Sequence, residues 1–148
     1  MFTLNPKNRI CVEDVYRVAV QKEKISFKQW DAVDYSRKYL EQTLKDPKQV
    51  NYGINTGFGA LSQKIIPAAS LRQLQINLVR SHCTGVGEPF SEEVVRASIF
   101  FFFFCLSQGY SGVRREVITQ MIDFLNHGIT PFVPSQGSVG AWGDLAPL

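Results

Sequence analysis

A chain of 148 residues that is 45% apolar and 20% charged has the composition of a soluble globular protein, which excludes a disordered chain. Its formal charge of +3 is small, and basic and acidic residues are interleaved along the chain. A nucleic-acid-binding protein usually clusters its basic residues, so we expect no nucleic-acid partner. The three cysteines lie far apart without a CxxC pair, which indicates a reducing compartment and neither a disulfide framework nor a zinc site.

The N-terminus and the apolar runs predict no contact with a membrane. The segment MFTLNPKNRI lacks the basic head and the apolar run of a signal peptide. The longest apolar run, IFFFFFCL at 99–106, is well short of the roughly 20 residues that cross a bilayer. We therefore expect a cytoplasmic protein.

Helical periodicity dominates the first half of the chain. The segment CVEDVYRVAV predicts a first helix whose buried face comprises Val12, Val15, Val18 and Ala19. A second helix is predicted to begin at Ser26, with Gln29 completing a capping box, and to end before Pro47. Ser70 is predicted to cap a third helix, whose buried stripe comprises Leu71, Leu74, Leu78 and Val79.

The fourth predicted helix is the most apolar part of the chain. Ser91 can cap it, and Glu92 and Glu93 lie favourably against its N-terminal dipole. Its interior, VVRASIFFFFFCL, is apolar on every face; five phenylalanines also suit a buried strand, but the length and the Ser-Glu-Glu start favour a helix. A fifth helix follows GYSG and ends at Gly128, where His127 is expected to cap it.

These elements predict an all-α fold, with long Gly-rich loops at two places that carry the candidate site. A helix that is apolar all round needs neighbours on all sides, and this chain offers few helices to supply them. We therefore expect residues 1–148 to be the N-terminal portion of one domain in a larger helical-bundle protein.

The first loop, NYGINTGFGALSQ, is rich in Gly, Asn and Thr. It is not a Walker A loop, because no GK[ST] follows, and its glycine spacing and context do not match the dinucleotide-binding fingerprint. The residues by themselves leave two interpretations open. The loop is either a structural turn with Tyr52 and Phe58 packed inward or a cradle for a phosphate.

The second loop, GSVGAWGDLAPL, has small residues on both sides of Ala141-Trp142-Gly143. Such residues allow the backbone to fold sharply back on itself. One chemistry needs that bend, namely attack of the Gly143 amide nitrogen on the Ala141 carbonyl to close a five-membered imidazolone ring. The attacking residue should be glycine, because a side chain there would hinder closure.

Four segments together resemble the aromatic amino-acid ammonia-lyases, and most closely their histidine-specific members. They are NYGINTGFG, LVRSHCTGVGEP, GYSGVRREVI and GSVGAWGDLAPL, in the family's order, and they cover residues 51–148. The resemblance implies a mostly helical homotetramer with sites built from more than one subunit. It also implies an electrophilic methylidene-imidazolone group, MIO, made autocatalytically from an Ala-Ser-Gly triplet, and no metal or nucleotide cofactor.

The resemblance further implies a reaction on a small-molecule amino acid. The amino group of L-histidine adds to MIO, a tyrosine removes the β-proton, and ammonia leaves to give trans-urocanate. The electrophile is needed because an amine is a poor leaving group, and the base because the β-proton is weakly acidic.

Matching the motifs residue by residue assigns expected roles. Tyr52 matches the catalytic tyrosine, and His82 matches the position that helps to select the substrate ring. Asn55 and Gly59 are expected to bind the substrate by shaping its loop. Asp144 is expected to support ring formation. Histidine at 82 suits an imidazole or a phenol, so tyrosine remains an alternative substrate, and an aminomutase an alternative to a lyase.

Trp142 departs from the family pattern, which has serine between Ala141 and Gly143. The serine hydroxyl leaves as water to create the methylidene, and tryptophan has no such leaving group. Three interpretations are open. The residue is an engineered, erroneous or notational change in an ordinary lyase; the protein is a catalytically silent homologue or subunit; or the triplet cyclises and oxidises, as the X-Trp-Gly chromophores of cyan fluorescent proteins do.

Overall fold

The computed structural model describes residues 1–46, 48–137, 139, 140, 143 and 144, the last four by their backbone alone. Within them the chain is 50% helical, which confirms the predicted helical class. The helices are α1 (Val12–Ala19), α2 (Asp31–Thr43), α3 (Ala68–His82), α4 (Glu92–Ser107) and α5 (Arg115–His127), with a 3₁₀ turn at Gly59–Leu61. Short strands pair two by two: β1 (Phe2–Leu4) with β2 (Ile25–Phe27), β3 (Val86–Pro89) with β4 (Pro134–Gln136), and β5 (Val139–Gly140) with β6 (Gly143–Asp144).

The chain divides into two compact units, of which the first comprises Met1–Gln42 and Phe90–Phe132. In this unit α4 packs against α1 and α5. Phe100 and Phe103 are fully buried at its centre, and Phe27 meets Phe103 edge to face at 5.6 Å between ring centroids. Edge-to-face contacts of this kind add to the hydrophobic gain from burying large rings.

The phenylalanine run forms a helix, as the Ser-Glu-Glu start predicts, and Ser91 is its N-cap residue. Only one face of α4 is buried. On the opposite face Phe101 and Phe102 are 47% and 40% exposed, and Val94 is exposed as well. The described residues therefore do not supply the neighbours on every side that the sequence of this helix calls for.

Arg96 of α4 is fully buried in the first unit, although its charge is costly to remove from water. Its guanidinium donates to the carbonyl oxygens of Val18 (2.9 Å), Ala19 (3.2 Å) and Leu125 (3.1 Å). These carbonyls lie at the C-terminal ends of α1 and α5, where helix carbonyls lack partners and carry partial negative charge. Arg96 thus satisfies both helix ends with one side chain.

Replacing Arg96 with methionine is expected to lower the free energy of unfolding by about 3 kcal/mol, because it leaves buried carbonyls without donors. The measurement is urea denaturation, in which the midpoint should fall at an unchanged m-value. Arg9→Met, at an exposed position of the same unit, is the matched control and should change stability little. An Arg96→Met protein as stable as the control would contradict this account of α1 and α5.

The second helix does not begin at Ser26, as the sequence predicted. Ile25–Phe27 is strand β2, parallel to β1, and Ser26 pairs with Thr3 while the two flanking side chains are buried. The helix begins five residues later, at Asp31. Asn126 closes the outer edge of β2 by accepting from the Ile25 N–H at 2.8 Å and donating to the Ile25 carbonyl at 2.9 Å. The capping pattern was wrong because these long-range bonds outweigh a local helix start.

The end of α5 agrees with the sequence. Gly128 is left-handed at a φ of 67°, the conformation that glycine adopts at helix C-termini. The Nδ1 atom of His127 lies 2.9 Å from the Asp123 carbonyl, four residues earlier, which confirms its predicted capping role.

The second unit comprises Thr43–Pro89 and Val133–Leu148. Its helix α3 begins at Ala68 rather than at Ser70, and none of its residues is buried. Leu71, Leu74 and Leu78 of the predicted stripe are half-buried, whereas Val79 is 63% exposed. In α1 likewise, Val12 is exposed although its three partners on the predicted face are not. A periodic stripe identifies a face, but its burial depends on what lies opposite.

A span across a membrane needs a helix that is both long and apolar, and the described part of the chain contains none that meets both conditions.

Candidate functional site

The second unit contains every residue that the sequence assigned to the site. Tyr52, Asn55 and Gly59 lie in the loop that precedes α3, and His82 is the last residue of that helix. Gly143 and Asp144 form β6, of which only the backbone is described. The assignments of Ala141 and Trp142, and the side chain of Asp144, lie outside the described residues.

Tyr52 stands out from the first loop. It is 54% exposed, and its ring meets Phe58 edge to face at 5.7 Å between centroids. The turn depends on Gly53, which is left-handed at a φ of 73° and lies against the Phe58 ring. Among the described residues, no group forms a hydrogen bond with the Tyr52 hydroxyl. The expectation that Tyr52 packs inward as a structural residue is therefore wrong, and its hydroxyl is open to a ligand.

Asn55 holds this loop in shape. The side chain is 8% exposed; its oxygen accepts from the Asn51 N–H at 2.8 Å, and its amide donates to the Gln49 carbonyl at 2.8 Å. Buried polar groups that are satisfied in this way brace a turn as a secondary structure would. The side chain of Asn55 thus ties the backbone at residues 49 and 51 to the turn.

Gly59 and Thr56 complete the loop. Gly59 is left-handed at a φ of 56° and starts the 3₁₀ turn Gly59–Leu61. Thr56 is fully buried, and its hydroxyl accepts from the Gly53 N–H at 3.1 Å and donates to the Gly57 carbonyl at 2.8 Å. Thr56 was not among the predicted site residues, although its place between Asn55 and Gly57 in a polar turn was a signal that could have identified it.

A hydrogen bond that the sequence did not predict connects this loop to α3. The Gln75 side-chain amide donates to the Gly53 carbonyl at 3.2 Å, next to Tyr52 in the chain. Gln75 and His82 are seven residues apart in one helix and therefore lie on the same face, separated by about 10 Å along the axis. The backbone at Gly53 is thus bonded to the face of α3 on which His82 also lies.

His82 is half-buried at the C-terminus of α3. Its Nδ1 atom lies 2.8 Å from the Leu78 carbonyl oxygen and 3.0 Å from the Ser81 hydroxyl oxygen. Within the described part of the chain, no group contacts its other ring nitrogen, Nε2. The ring is therefore anchored on one side only.

Two glycines after His82 let the segment that leads to the second loop approach closely. Val86 of β3 pairs with Gln136 of β4 in antiparallel register. A Cβ atom at Gly85 would lie 2.1 Å from Cγ of Pro134, so the proline ring fits against residue 85 because that residue is glycine. Gly87 is left-handed at a φ of 85°, and a Cβ atom there would lie 3.3 Å from the side chains of Ser135 and Gln136 in β4. The GVG motif therefore connects His82 with the segment that leads to the triplet.

Replacing Gly85 with alanine is expected to destabilise the chain by about 1–3 kcal/mol, the usual effect of forcing an atom into a packed contact. The free energy of unfolding measured in urea tests this. In the Pro134→Ala background the closest atom is gone and the nearest remaining contact is at 3.0 Å, so the same change should cost markedly less. Equal losses in the two backgrounds would show that this contact does not require glycine.

The triplet lies between two short paired strands. Val139 pairs with Asp144 and Gly140 with Gly143 in an antiparallel arrangement, so the chain reverses direction between β5 and β6. Among the described residues, no group of three or more His, Cys, Asp or Glu side chains is placed to hold a metal ion.

Comparison with known proteins gives consistent matches. A family model described as aromatic amino acid lyase matches residues 10–148. Histidine ammonia-lyase from Geobacillus thermodenitrificans (strain NG80-2) is 47% identical over 141 residues, which are 94% of this chain and 28% of that protein. The structure of tyrosine aminomutase from Streptomyces globisporus matches with a TM-score of 0.85 at 32% identity, over 99% of this chain and 27% of that one.

The structure of histidine ammonia-lyase from Trypanosoma cruzi matches 100% of this chain and 29% of that one, with a TM-score of 0.79 at 32% identity. This chain therefore spans less than a third of the length of the relatives that it matches.

Proposed function

Because the chain belongs to the aromatic amino acid lyase family, we propose that the full-length protein has the site of a carbon–nitrogen lyase that eliminates ammonia from L-histidine to give trans-urocanate. The observation that carries the proposal is the bond from Gln75 to the Gly53 carbonyl, which brings the Tyr52 loop to the face of α3 that ends in His82. The name of the relative from Geobacillus thermodenitrificans supports histidine as the substrate.

Tyr52 is the proposed base that removes the β-proton. Its hydroxyl is accessible and has no hydrogen-bond partner among the described residues, while its ring is held against Phe58. A base must reach the proton that it takes, and a hydroxyl already bound within the protein would reach it less well. The left-handed turn at Gly53 and the internal bonds of Asn55 and Thr56 hold the tyrosine in this position.

His82 is the proposed contact for the substrate ring. Its free ring nitrogen can form a hydrogen bond with an imidazole or with a phenol, so L-tyrosine is the alternative substrate, and an aminomutase the alternative enzyme. The structural similarity to the Streptomyces globisporus tyrosine aminomutase supports this alternative. Asn55 and Gly59 are proposed to shape the substrate loop, and Asp144 to support ring formation.

The residues at the triplet do not fit the MIO group. Formation of its methylidene requires a hydroxyl on the β-carbon of the central residue, and the side chain of Trp142 is an indole with no leaving group on that carbon. The chemistry of the central residue therefore does not meet the requirement for this group. We therefore assign no step of the reaction to Ala141-Trp142-Gly143 as it stands.

Trp142 favours a second candidate function, a catalytically silent homologue that keeps the amino-acid site or serves as an assembly subunit. Under either candidate, residues 1–148 are proposed to be the N-terminal portion of one ammonia-lyase-like domain. The full-length protein is proposed to form a cytoplasmic homotetramer, as the family resemblance implies.

The purified full-length protein decides between the two candidates when it is incubated separately with L-histidine and L-tyrosine. Ammonia release and ultraviolet absorbance of the unsaturated acid measure turnover, and intact mass reports any loss of water from the triplet. Turnover of L-histidine supports the lyase. An unmodified mass without turnover supports the silent homologue, and loss of water together with visible absorption would instead indicate a chromophore.

A further inference from the structure

The hydrogen bonds of His82 define which ring nitrogen carries its proton. The Leu78 carbonyl oxygen lies 2.8 Å from Nδ1, and a carbonyl oxygen can only accept a hydrogen bond. Nδ1 must therefore carry the hydrogen, since two acceptors at this distance would repel each other. In the neutral ring, Nε2 is then left with a lone pair.

Ser81 completes the same arrangement. Its hydroxyl donates to the Leu78 carbonyl at 2.8 Å, so its oxygen lone pairs face the Nδ1 atom of His82 at 3.0 Å. The N–H of His82 thus meets two acceptors, the Leu78 carbonyl and the Ser81 oxygen. A ring that donates to two fixed acceptors is restricted in both orientation and tautomer.

The second histidine of the chain shows what the carbonyl alone provides. His127 also ends a helix, and its Nδ1 atom lies 2.9 Å from the carbonyl four residues earlier. The residue before it, Asn126, uses its side chain on the backbone of Ile25 and not on the histidine. The two histidines therefore share the carbonyl contact and differ in the serine.

We propose that Ser81 is a positioning residue, which together with the Leu78 carbonyl orients His82 and selects the Nδ1–H tautomer of its neutral ring, so that Nε2 accepts a hydrogen bond from the substrate ring. This inference rests on the proposed function for the role of the ring, although the proton assignment stands on geometry alone. It defines the substrate class as amino acids whose ring carries an N–H or O–H donor. A phenyl ring would leave the Nε2 lone pair without a partner, which disfavours its binding.

Nitrogen-15 NMR of the histidine rings tests the inference directly, because the chain contains two histidines in all. The spectra are recorded in mildly alkaline buffer, with signals assigned through His127→Gln. We expect the Nδ1 of His82 to be protonated, with a higher Nδ1–H to Nε2–H ratio than that of His127. Ser81→Ala should lower this ratio at His82 by about twofold to tenfold, the equivalent of one neutral hydrogen bond, and leave His127 unchanged.

Two further variants separate positioning from a general effect on the fold. Ser81→Thr keeps the hydroxyl and should keep the ratio. Ser36→Ala removes a serine of α2 that donates to the carbonyl three residues earlier, as Ser81 does, and should change neither histidine. The inference would be overturned if His82 were found in the Nε2–H form, or if its Nδ1–H to Nε2–H ratio were the same as that of His127. It would also be overturned if Ser81→Ala left the ratio at His82 unchanged.

Kinetics in the full-length protein carrying Trp142→Ser connect the proton assignment to the reaction. Ser81→Ala should raise KM for L-histidine by about threefold to tenfold, with a smaller change in kcat, and Ser81→Thr should restore it. If Ser81→Ala instead lowered kcat by about threefold to tenfold and left KM unchanged, that result would contradict positioning of the substrate ring. If the Trp142→Ser protein shows no turnover at all, the proposed function fails, while the NMR result still decides the state of His82.

Discussion

Replacing Trp142 with serine in the full-length protein is expected to raise the rate of ammonia release from L-histidine by about 10³-fold or more. Serine restores a hydroxyl on the β-carbon, and its side chain is much smaller than an indole. Ammonia release and urocanate absorbance measure the gain. Intact mass should show loss of water in the variant and an unmodified triplet in the unaltered protein.

Trp142→Ala separates the two effects of the substitution. Alanine is also much smaller than an indole but brings no hydroxyl, so we expect it to give no gain in rate over the tryptophan protein. If alanine and serine gave equal activity, the indole would be a steric block only, and the missing leaving group would not explain the inactivity. Activity of the unaltered protein with an unmodified mass would contradict both explanations.

In the Trp142→Ser background, Tyr52→Phe is expected to lower kcat by about 10²–10⁴-fold, the usual contribution of a positioned base. The substitution removes the hydroxyl alone. The edge-to-face contact between residue 52 and Phe58 involves the rings, so the loop should keep its shape. Steady-state kinetics with L-histidine, together with an unchanged urea midpoint, measure this loss.

The control for Tyr52→Phe is Tyr110→Phe, at a tyrosine that is 90% exposed in the first unit and has no place in the proposed site. We expect it to keep full activity. Loss of activity on the same scale in both variants would point to a general effect of removing a phenol. A Tyr52→Phe enzyme with full kcat would remove Tyr52 from the role of base.

Sequence patterns predicted the helical elements best where local signals agreed with one another. The start of α4 at Ser91 and the end of α5 at Gly128 follow from capping residues beside an apolar periodic segment. At Ser26 the local signal was misleading, because its neighbours are buried by pairing with β1, more than 20 residues away in the chain. Capping rules contain no information about such a partner.

The candidate site shows the same division. The motifs around Tyr52 and His82 identify both residues without a structure, because their spacing and chemistry are local properties of the sequence. The role of Gln75 was not visible, since a glutamine on a helix has no distinctive pattern until its amide meets the Gly53 carbonyl. Ser81 was passed over for the same reason, although it is the immediate neighbour of His82.

The sequence by itself determined the helical class, the family resemblance and the absence of a hydroxyl leaving group at Trp142, because each depends on residue types and on short spacings. Tertiary structure alone decided that β3 pairs with β4, that the Gly53 carbonyl is bonded to α3, and that Gly85 lies against the Pro134 ring. These facts depend on distances between atoms that folding brings together, and a fraction of an ångström separates a hydrogen bond from a missed contact.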